Sequence, residues 1–299
     1  MAELSLRGRA AVVTGAGRGI GRAHALLLAS RGAAVVVNDI DAAAAGSVVD
    51  EIVAAGGQAL VSTHDIASET GGEDLVAAVI AEFGSADIVV HNAGVVEHAP
   101  FGQVPADQLT RLLAVHFCAA YYVGQPAWRW MAANGRGRIV LTSSAGIFGD
   151  ARVPTYGGAK AGLLGLAASM HLETVQQGVD IKVNVIAPLA ATRPRVPTAP
   201  IPVELATPDN VAALVGYLAS DECAVGGQCF RVGATFVGRI YLGVADGWSS
   251  GGTPLTPESV ADHIDEITST AGGVVPTSSA DLLVHMNSRI TAAAGDSVG

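Results

Sequence analysis

The chain has 299 residues, of which half are hydrophobic and 15% are charged, as in globular rather than disordered proteins. Its formal net charge of −10 argues against a nucleic-acid-binding surface. No apolar run reaches the ~18 residues that a membrane-spanning helix needs, and the N-terminus lacks the pattern of a signal peptide. The three cysteines lack zinc-like spacing, so we expect free thiols, no metal site and a cytoplasmic protein.

A glycine-rich turn follows the first predicted strand, Ala10 to Thr14, and precedes a helix from Ala23 to Ser30. This order predicts a dinucleotide site, because glycines let the backbone approach a pyrophosphate at the positive N-terminus of a helix. The spacing Gly15-x-Gly17-x-Gly19-x-Gly21 departs from the usual G-x-G-x-x-G. A tight turn without a ligand therefore remains an alternative.

Asp39 follows the second predicted strand, Ala33 to Val37, and lies 24 residues after Gly15. The offset is close to the ~20 residues expected for a carboxylate that accepts the hydroxyl groups of the adenosine ribose. Its charge would repel a 2′-phosphate, which favours NAD over NADP. The alternative is an aspartate that only caps the next helix.

Apolar runs and helix-forming segments alternate along most of the chain. This alternation predicts an α/β fold, a Rossmann-like doubly wound parallel sheet of seven strands with helices on both faces. A long helix is predicted from Pro105 to Met131, with a kink or an interruption at Pro126. We assign residues 1–250 to the NAD-binding and catalytic domain. Residues 251–299 form a predicted C-terminal helical extension whose composition is compatible with a flexible tail.

Tyr156 and Lys160 lie one turn apart on a predicted helix and therefore share a face. A nearby ammonium group favours the phenolate, so the pair can work as a general acid–base. Such a pair is more often two surface neighbours. Ser143 favours the catalytic interpretation, because it lies 13 residues upstream at the end of an apolar run that begins at Arg138. Open α/β sheets bind their ligands at such strand ends.

Four motifs occur in a fixed order, Thr14-Gly15-x-x-x-Gly19-x-Gly21, Asn92-Ala93-Gly94, Ser143 and Tyr156-x-x-x-Lys160. Together they resemble the short-chain dehydrogenase/reductase superfamily over roughly residues 6–233. The resemblance implies that Tyr156 is the general acid–base, that Lys160 lowers its pKa and holds the nicotinamide ribose, and that Ser143 hydrogen-bonds the reacting oxygen. It also implies an NAD site formed by Gly15, Gly17, Arg18, Gly19, Ile20, Asp39, Asp65, Ile66, Asn92, Ala93, Gly94, Tyr156, Lys160, Pro188 and Thr192.

The chain departs from the superfamily pattern at two places. His116 stands where an asparagine often feeds a proton relay to the lysine; an imidazole can also relay protons, and a buried structural histidine is the alternative. Pro188-Leu189 replaces the common Pro-Gly pair after the sixth strand, and Thr192 could still reach the carboxamide. The proline-rich segment from Leu189 to Thr207 is long for a compact domain, which makes it a candidate lid over the substrate.

Val37-Asn-Asp and the segments 158–166, 227–239 and 255–267 resemble a narrower group. It comprises the (3R)-hydroxyacyl-CoA dehydrogenase module of peroxisomal multifunctional enzymes and its bacterial single-domain relatives. The resemblance implies an NAD-dependent oxidoreductase that interconverts a secondary alcohol and a ketone, either a 3-hydroxyacyl thioester or a hydroxysteroid, in a homodimer or homotetramer. The alternatives are a 3-oxoacyl thioester reductase, which would normally prefer NADPH, and a non-catalytic NAD-binding regulator.

Overall fold

The computed structural model describes residues 4–191 and 202–296. The strands are β1 (Ala10–Thr14), β2 (Ala34–Asn38), β3 (Gln58–Ser62), β4 (Ile88–His91), β5 (Arg136–Thr142), β6 (Asp180–Leu189), β7 (Cys229–Gly233) and β8 (Phe236–Ile240). The helices are α1 (Gly19–Ser30), α2 (Ala42–Ala54), α3 (Glu69–Phe83), α4 (Ala106–Leu113), α5 (Ala119–Ala133), α6 (Pro154–Gln177), α7 (Pro208–Leu218), α8 (Pro257–Asp262), α9 (Ile264–Thr268) and α10 (Ser279–Asp296).

The sheet has the strand order β3-β2-β1-β4-β5-β6-β7-β8, and the pairs from β3 to β7 are parallel. The order reverses beside β1, which pairs with β2 on one side and β4 on the other. In doubly wound sheets the crevice for a ligand opens at such a reversal. The predicted fold class is confirmed.

The prediction of seven strands is wrong by one, because the described residues include β8 at the edge of the sheet. This strand follows β7 after a turn in which Ala234 adopts a left-handed φ of 51°. Its sequence, Phe-Val-Gly-Arg-Ile, is short and contains Gly238, so it carries little of the pattern that identifies a strand.

The central strands are buried on both faces, which explains their continuous apolar sequences. Every residue of β1, β2 and β4 is buried, whereas β3 at the edge is partly exposed. Helices cover both sides of a parallel sheet, so an alternation of polar and apolar residues is not required. On these faces α1 packs against α7, and α3 packs against α5.

The long helix predicted from Pro105 to Met131 contains a π-helical turn. Helix α4 continues into this turn at Ala114–Cys118 and then into α5. The chain stays helical through Pro126, so an interruption there is wrong, while the alternative of a kink stays a prediction. Proline leaves the carbonyl of Tyr122 without its usual intrahelical donor. That carbonyl lies against Gly72 of α3, where a side chain would leave no room for it.

The chain divides into two compact units; the first ends at Arg239 and the second begins at Ile240. In the second unit Val244 and Val274 form an antiparallel bridge, and Trp248 stacks on His263 with 4.0 Å between the ring centroids. The predicted domain boundary at residue 250 stays a prediction. No helix among the described residues is long and apolar enough to cross a membrane.

His24 in α1 supplies a test of the core. The side chain is fully buried, and neither ring nitrogen has a hydrogen-bond partner in the described part of the chain. Burial lowers its pKa from 6.5 to about 3, so the folded protein holds a neutral imidazole. An unpartnered buried polar group costs about 1–3 kcal/mol.

We expect His24→Leu to raise the free energy of unfolding by about 1 kcal/mol at pH 8. The gain should grow as the pH falls below 6.5, because the unfolded chain then binds a proton at residue 24 that the folded protein refuses; the limiting slope is about 1.4 kcal/mol per pH unit. Urea unfolding at pH 8 and pH 5 measures both effects. His98→Leu, at an exposed histidine, is the matched control. A loss of stability at both pH values would contradict the prediction.

Candidate active site

Thr14 and Asn92 join the ends of β1 and β4 where the strand order reverses. The Thr14 hydroxyl accepts the backbone N–H groups of Asn92 at 3.0 Å and Ala93 at 3.1 Å. In return, the Asn92 amide donates to the carbonyls of Thr14 and Gly15, both at 3.1 Å. Both hydrogens of the Asn92 amide are therefore used to hold the glycine turn. Thr14, which was not a candidate site residue, is as central to this link as Asn92.

Close backbone contacts explain two glycines of this turn. Gly15 has a left-handed φ of 61°, and a Cβ there would lie 2.7 Å from the Cα of Ala93. Gly21 lies at the carbonyl of Gly15, where a Cβ would have no room. The close approach brings the glycine turn and the Asn92-Ala93-Gly94 segment together at the end of the sheet, and their role in binding a cofactor stays a prediction. Packing therefore requires a glycine at position 21. Its place in the glycine pattern is the only signal in the sequence that could have indicated this requirement.

Asp39 lies beside the glycine turn. Its Oδ2 accepts the N–H of Gly17 at 3.0 Å, and its Oδ1 accepts the N–H of Asp41 at 3.0 Å. Asn38, buried at the end of β2, fixes this loop by donating to the hydroxyl of Ser62 and the carbonyl of His64. Asp41, and not Asp39, caps α2 by accepting the N–H of Ala44. The capping alternative for Asp39 is therefore wrong.

Other predicted cofactor residues lie on the same edge of the sheet. Asp65 is exposed after β3 and accepts the N–H of Ala67 at 3.0 Å, while Ile66 beside it is buried. Pro188 belongs to β6, and its carbonyl accepts a hydrogen bond from Arg231 of β7 at 2.9 Å. Thr192 lies outside the described residues, as does most of the predicted lid.

The start of α1 fits the pyrophosphate of a dinucleotide. Gly19 and Ile20 open the helix after Arg18, which makes no side-chain cap, and the first turn carries no acidic residue. By contrast, Asp41 caps α2 and Ser68 caps α3. An uncapped first turn leaves N–H groups and the positive end of the helix dipole for an anion. The residues present therefore fit a nicotinamide dinucleotide.

Tyr156 and Lys160 lie in the first turns of α6. The Lys160 ammonium is 5.8 Å from the centroid of the Tyr156 ring and donates to the carbonyl of Thr142. Lys160 is 2% exposed, and burial lowers its pKa from 10.5 to about 7. The lysine is therefore held close to its titration point at neutral pH, beside the phenol that it is predicted to assist.

Ser143 is buried directly after β5. Its backbone N–H donates to the carbonyl of Ile186 at 2.7 Å, and its hydroxyl donates to the carbonyl of Lys160 at 2.8 Å. The second bond joins the end of β5 to α6, the helix that carries Tyr156 and Lys160. The hydroxyl must release that carbonyl before it can donate to a substrate oxygen.

His116 occupies the π-helical turn and contacts the Tyr156 ring edge-on, with 5.1 Å between the centroids. Its Nε2 lies 2.6 Å from the carbonyl oxygen of Val95, which accepts a hydrogen bond in the Nε2–H tautomer, and 3.2 Å from the backbone nitrogen of Val95, which donates to Nε2 in the other tautomer. The imidazole packs on Gly94, where a Cβ would lie 2.5 Å from Cε1. Burial, followed by the charge of Lys160, lowers the pKa of His116 to about 3. The neutral ring thus bridges the loop after β4 and the tyrosine.

His91 at the end of β4 is a second buried base that the sequence analysis did not identify. Its Nδ1 lies 3.4 Å from the hydroxyl of Thr14. Burial, followed by the charge of Lys160, lowers its pKa to about 3. The region around Lys160 therefore contains two imidazoles that stay neutral at physiological pH.

A cavity of about 420 Å³ opens beside the first turns of α6. Thr155 supplies a hydroxyl to its wall, and the remaining lining residues are apolar or glycine: Phe101, Val104, Ala106, Leu109, Leu113, Pro154, Gly158 and Ala159. A Cβ at Gly158 would meet nothing within 4 Å. An apolar group of moderate size fits such a space.

Residues 9–195 match the family model described as short chain dehydrogenase. A short-chain type dehydrogenase/reductase of Mycobacterium tuberculosis is 37% identical over 89% of this chain and 96% of its own length. Hydroxyacyl-CoA dehydrogenase ChsB1 of the same organism is 37% identical over 76% of this chain and 78% of its own length. Peroxisomal multifunctional enzyme type 2 of Mus musculus is 37% identical over 88% of this chain, which spans 37% of that protein.

Two solved structures share the fold. Full-length peroxisomal multifunctional enzyme type 2 of Drosophila melanogaster has a TM-score of 0.82 and 28% identity, over 96% of this chain and 50% of that one. A 7α-hydroxysteroid dehydrogenase complexed with NADH and 7-oxo glycochenodeoxycholic acid has a TM-score of 0.70 and 31% identity, over 78% of this chain and 97% of that one.

The contact between Gly94 and His116 predicts a measurable strain. We expect Gly94→Ala to lower the free energy of unfolding by about 1–3 kcal/mol, because the added methyl group meets the imidazole. Gly46→Ala in α2, where a Cβ would meet nothing within 4 Å, is the matched control. Adding His116→Ala should recover part of the loss in a double-mutant cycle measured by urea unfolding. Fully additive effects would contradict the contact.

Proposed function

The chain belongs to the short-chain dehydrogenase family, and we propose that it is an NAD-dependent enzyme that oxidises a 3-hydroxyacyl thioester to the 3-oxoacyl thioester, or reduces it in reverse. The observation that carries the proposal is that Lys160 lies 5.8 Å from the Tyr156 ring on α6 and that hydrogen bonds join Lys160 to Thr142 and Ser143 at the end of β5. A protein that only bound a dinucleotide would have no use for Tyr156, Lys160 and Ser143 together.

Two observations support a thioester as the substrate. One relative is a hydroxyacyl-CoA dehydrogenase, and segments in both halves of the chain resemble that group. The apolar cavity beside α6 offers space for the hydrocarbon part of an acyl chain. A hydroxysteroid is the second candidate, because a structural relative is a 7α-hydroxysteroid dehydrogenase.

Tyr156 acts as the general base in the oxidation. Its phenolate removes the proton of the substrate hydroxyl while the alcohol carbon loses a hydride, and in reverse the phenol returns the proton. A free phenol has a pKa of about 10, so the reaction at neutral pH depends on stabilisation of the phenolate. The Lys160 ammonium supplies that stabilisation from the same face of α6.

Ser143 stabilises the partial negative charge on the reacting oxygen. Its hydroxyl turns from the Lys160 carbonyl towards that oxygen, and a donor of this kind lowers a barrier by about 3 kcal/mol. Ser143 and Tyr156 thus hold the oxygen from two sides.

His116 is a positioning residue in this proposal. Its Nε2 is engaged by the backbone of Val95 in either tautomer, and its low pKa opposes a second proton, so a proton relay through the ring is disfavoured. Its edge-on contact instead fixes the plane of the Tyr156 ring. The relay predicted from the family pattern is the alternative, and it requires a pH dependence that changes when His116 is replaced.

NAD, when bound, accepts the hydride. The first turn of α1, with Gly15, Gly17, Gly19 and Ile20, would hold the pyrophosphate, and Asp39 would accept the hydroxyls of the adenosine ribose. Lys160 would bind the nicotinamide ribose. Asp65, Ile66, Ala93, Gly94, Pro188 and Thr192 complete the proposed set together with Arg18 and Asn92.

We also propose that the protein is a cytoplasmic homo-oligomer, a dimer or tetramer. On the π-helical turn and α5, Phe117 and Tyr121 pack together with 5.6 Å between their ring centroids, and Tyr121 is 47% exposed. An aromatic pair at the surface is typical of a subunit interface. Cys118, Cys223 and Cys229 are free thiols, which suits a reducing compartment.

The proposed chemistry predicts the loss of turnover in Tyr156→Phe. We expect NADH formation from NAD with 3-hydroxyacyl-CoA thioesters, weaker formation with hydroxysteroids and simple secondary alcohols, and a loss of at least ~100-fold in kcat for the variant. Tyr241→Phe, at an exposed tyrosine in the second unit, is the control. Unchanged activity of Tyr156→Phe would refute the assignment of the base. Turnover on steroids alone would favour the second substrate candidate.

The ribose role of Asp39 predicts a change of cofactor preference. We expect Asp39→Ala to raise kcat/KM with NADP relative to that with NAD, because the variant no longer places a negative charge beside a 2′-phosphate. Asp74→Ala, which removes a charge from α3, controls for the change in net charge. An unchanged ratio would show that Asp39 does not face the ribose.

A further inference from the structure

Arg18 and Asp41 join the two loops that surround Asp39. The Arg18 guanidinium donates from Nη2 to Oδ2 of Asp41 at 2.6 Å. Arg18 follows Gly17, whose N–H binds Asp39, and Asp41 donates its own N–H to the same carboxylate. The four residues therefore form one cluster, with Asp39 at its centre and the ion pair beside it.

Asp41 is held in place by the helix that it caps. Its Oδ1 accepts the N–H of Ala44 at 3.1 Å, which leaves Oδ2 for Arg18. The Ala44 N–H and the Arg18 guanidinium hold the pKa of Asp41 below its usual range, so the carboxylate is charged at neutral pH. Because the cap fixes the carboxylate, little additional order is needed to keep the ion pair.

We infer that Asp41 is a second determinant of cofactor preference, which acts by withholding Arg18 from a 2′-phosphate. The inference rests on the proposed binding of a nicotinamide dinucleotide with its adenosine ribose at Asp39. Nothing in the family pattern discussed above assigns a function to Asp41. Its role follows from its ion pair with Arg18 and from the hydrogen bond that its backbone N–H donates to Asp39.

The charges of the cluster explain the effect. Asp39 and Asp41 carry two negative charges against one positive charge on Arg18, so a 2′-phosphate would meet a net negative loop. A free guanidinium binds phosphate through two parallel N–H bonds, which makes Arg18 a suitable ligand once it is released. The Arg18 side chain is 68% exposed and has room to turn. In the unmodified protein, the Asp41 carboxylate accepts the hydrogen bond from the Arg18 guanidinium.

Asp41→Asn is the decisive variant, because asparagine keeps the helix cap but not the charge. The experiment measures dissociation constants of NADH and NADPH by nicotinamide fluorescence at fixed ionic strength, and does not require turnover. We expect the ratio of the NADPH constant to the NADH constant to fall about fivefold. Asp50→Asn, which removes an exposed charge from the same helix, should leave the ratio unchanged.

Arg18 must carry the effect if the inference is right. Adding Arg18→Ala to Asp41→Asn should return the ratio to its original value. A fivefold fall that persists without Arg18 would mean that Asp41 acts only through its own charge, and it would overturn the inference. An unchanged ratio in Asp41→Asn would also overturn it. If the unmodified protein binds neither dinucleotide, the proposed function fails as well. NADH binding with an unchanged ratio refutes this inference alone.

Discussion

The reciprocal hydrogen bonds between Thr14 and Asn92 are the constraint on which the site depends. They join β1 to β4 at the reversal of the strand order, and they hold the glycine turn against the segment that ends in Gly94. Gly94 receives the His116 ring, and the ring contacts Tyr156. A continuous set of contacts therefore runs from the glycine turn to the proposed base. A shift of either strand end would move both the cofactor loop and the tyrosine.

Burial of bases gives this region an unusual electrostatic state. Lys160, His91 and His116 are all shifted towards their neutral forms, chiefly because they are removed from water. The charge of Lys160 opposes protonation of both imidazoles, and the charge of His91 further opposes protonation of His116. Neutral imidazoles leave Lys160 as the group whose charge responds near pH 7. This arrangement suits a group that tunes the pKa of Tyr156, since the Lys160 amine is the group beside the phenol that changes its charge near neutral pH.

The sequence contained enough information to locate the sheet and most candidate site residues. Strands buried on both faces give continuous apolar runs, and Asp39, Ser143 and Tyr156 follow such runs or a glycine turn at fixed offsets. The π-helical turn around His116 was missed, because a helix-forming pattern does not distinguish a single π-helical turn from an α-helix. The ion pair of Arg18 with Asp41 was also missed, because it joins loops 23 residues apart that meet only when β1 and β2 pair. The structural use of both Asn92 hydrogens also needed coordinates.

Several of the contacts that shape the site use one side chain and one backbone carbonyl. Asn92 binds the carbonyls of Thr14 and Gly15, Lys160 that of Thr142, Ser143 that of Lys160, and His116 that of Val95. A carbonyl is present whatever residue bears it, so each contact constrains one position of the sequence instead of two. Neighbouring positions are then free to diverge without loss of the geometry. Because fewer sequence positions are constrained, a chain with 28% identity to this one can share its fold with a TM-score of 0.82.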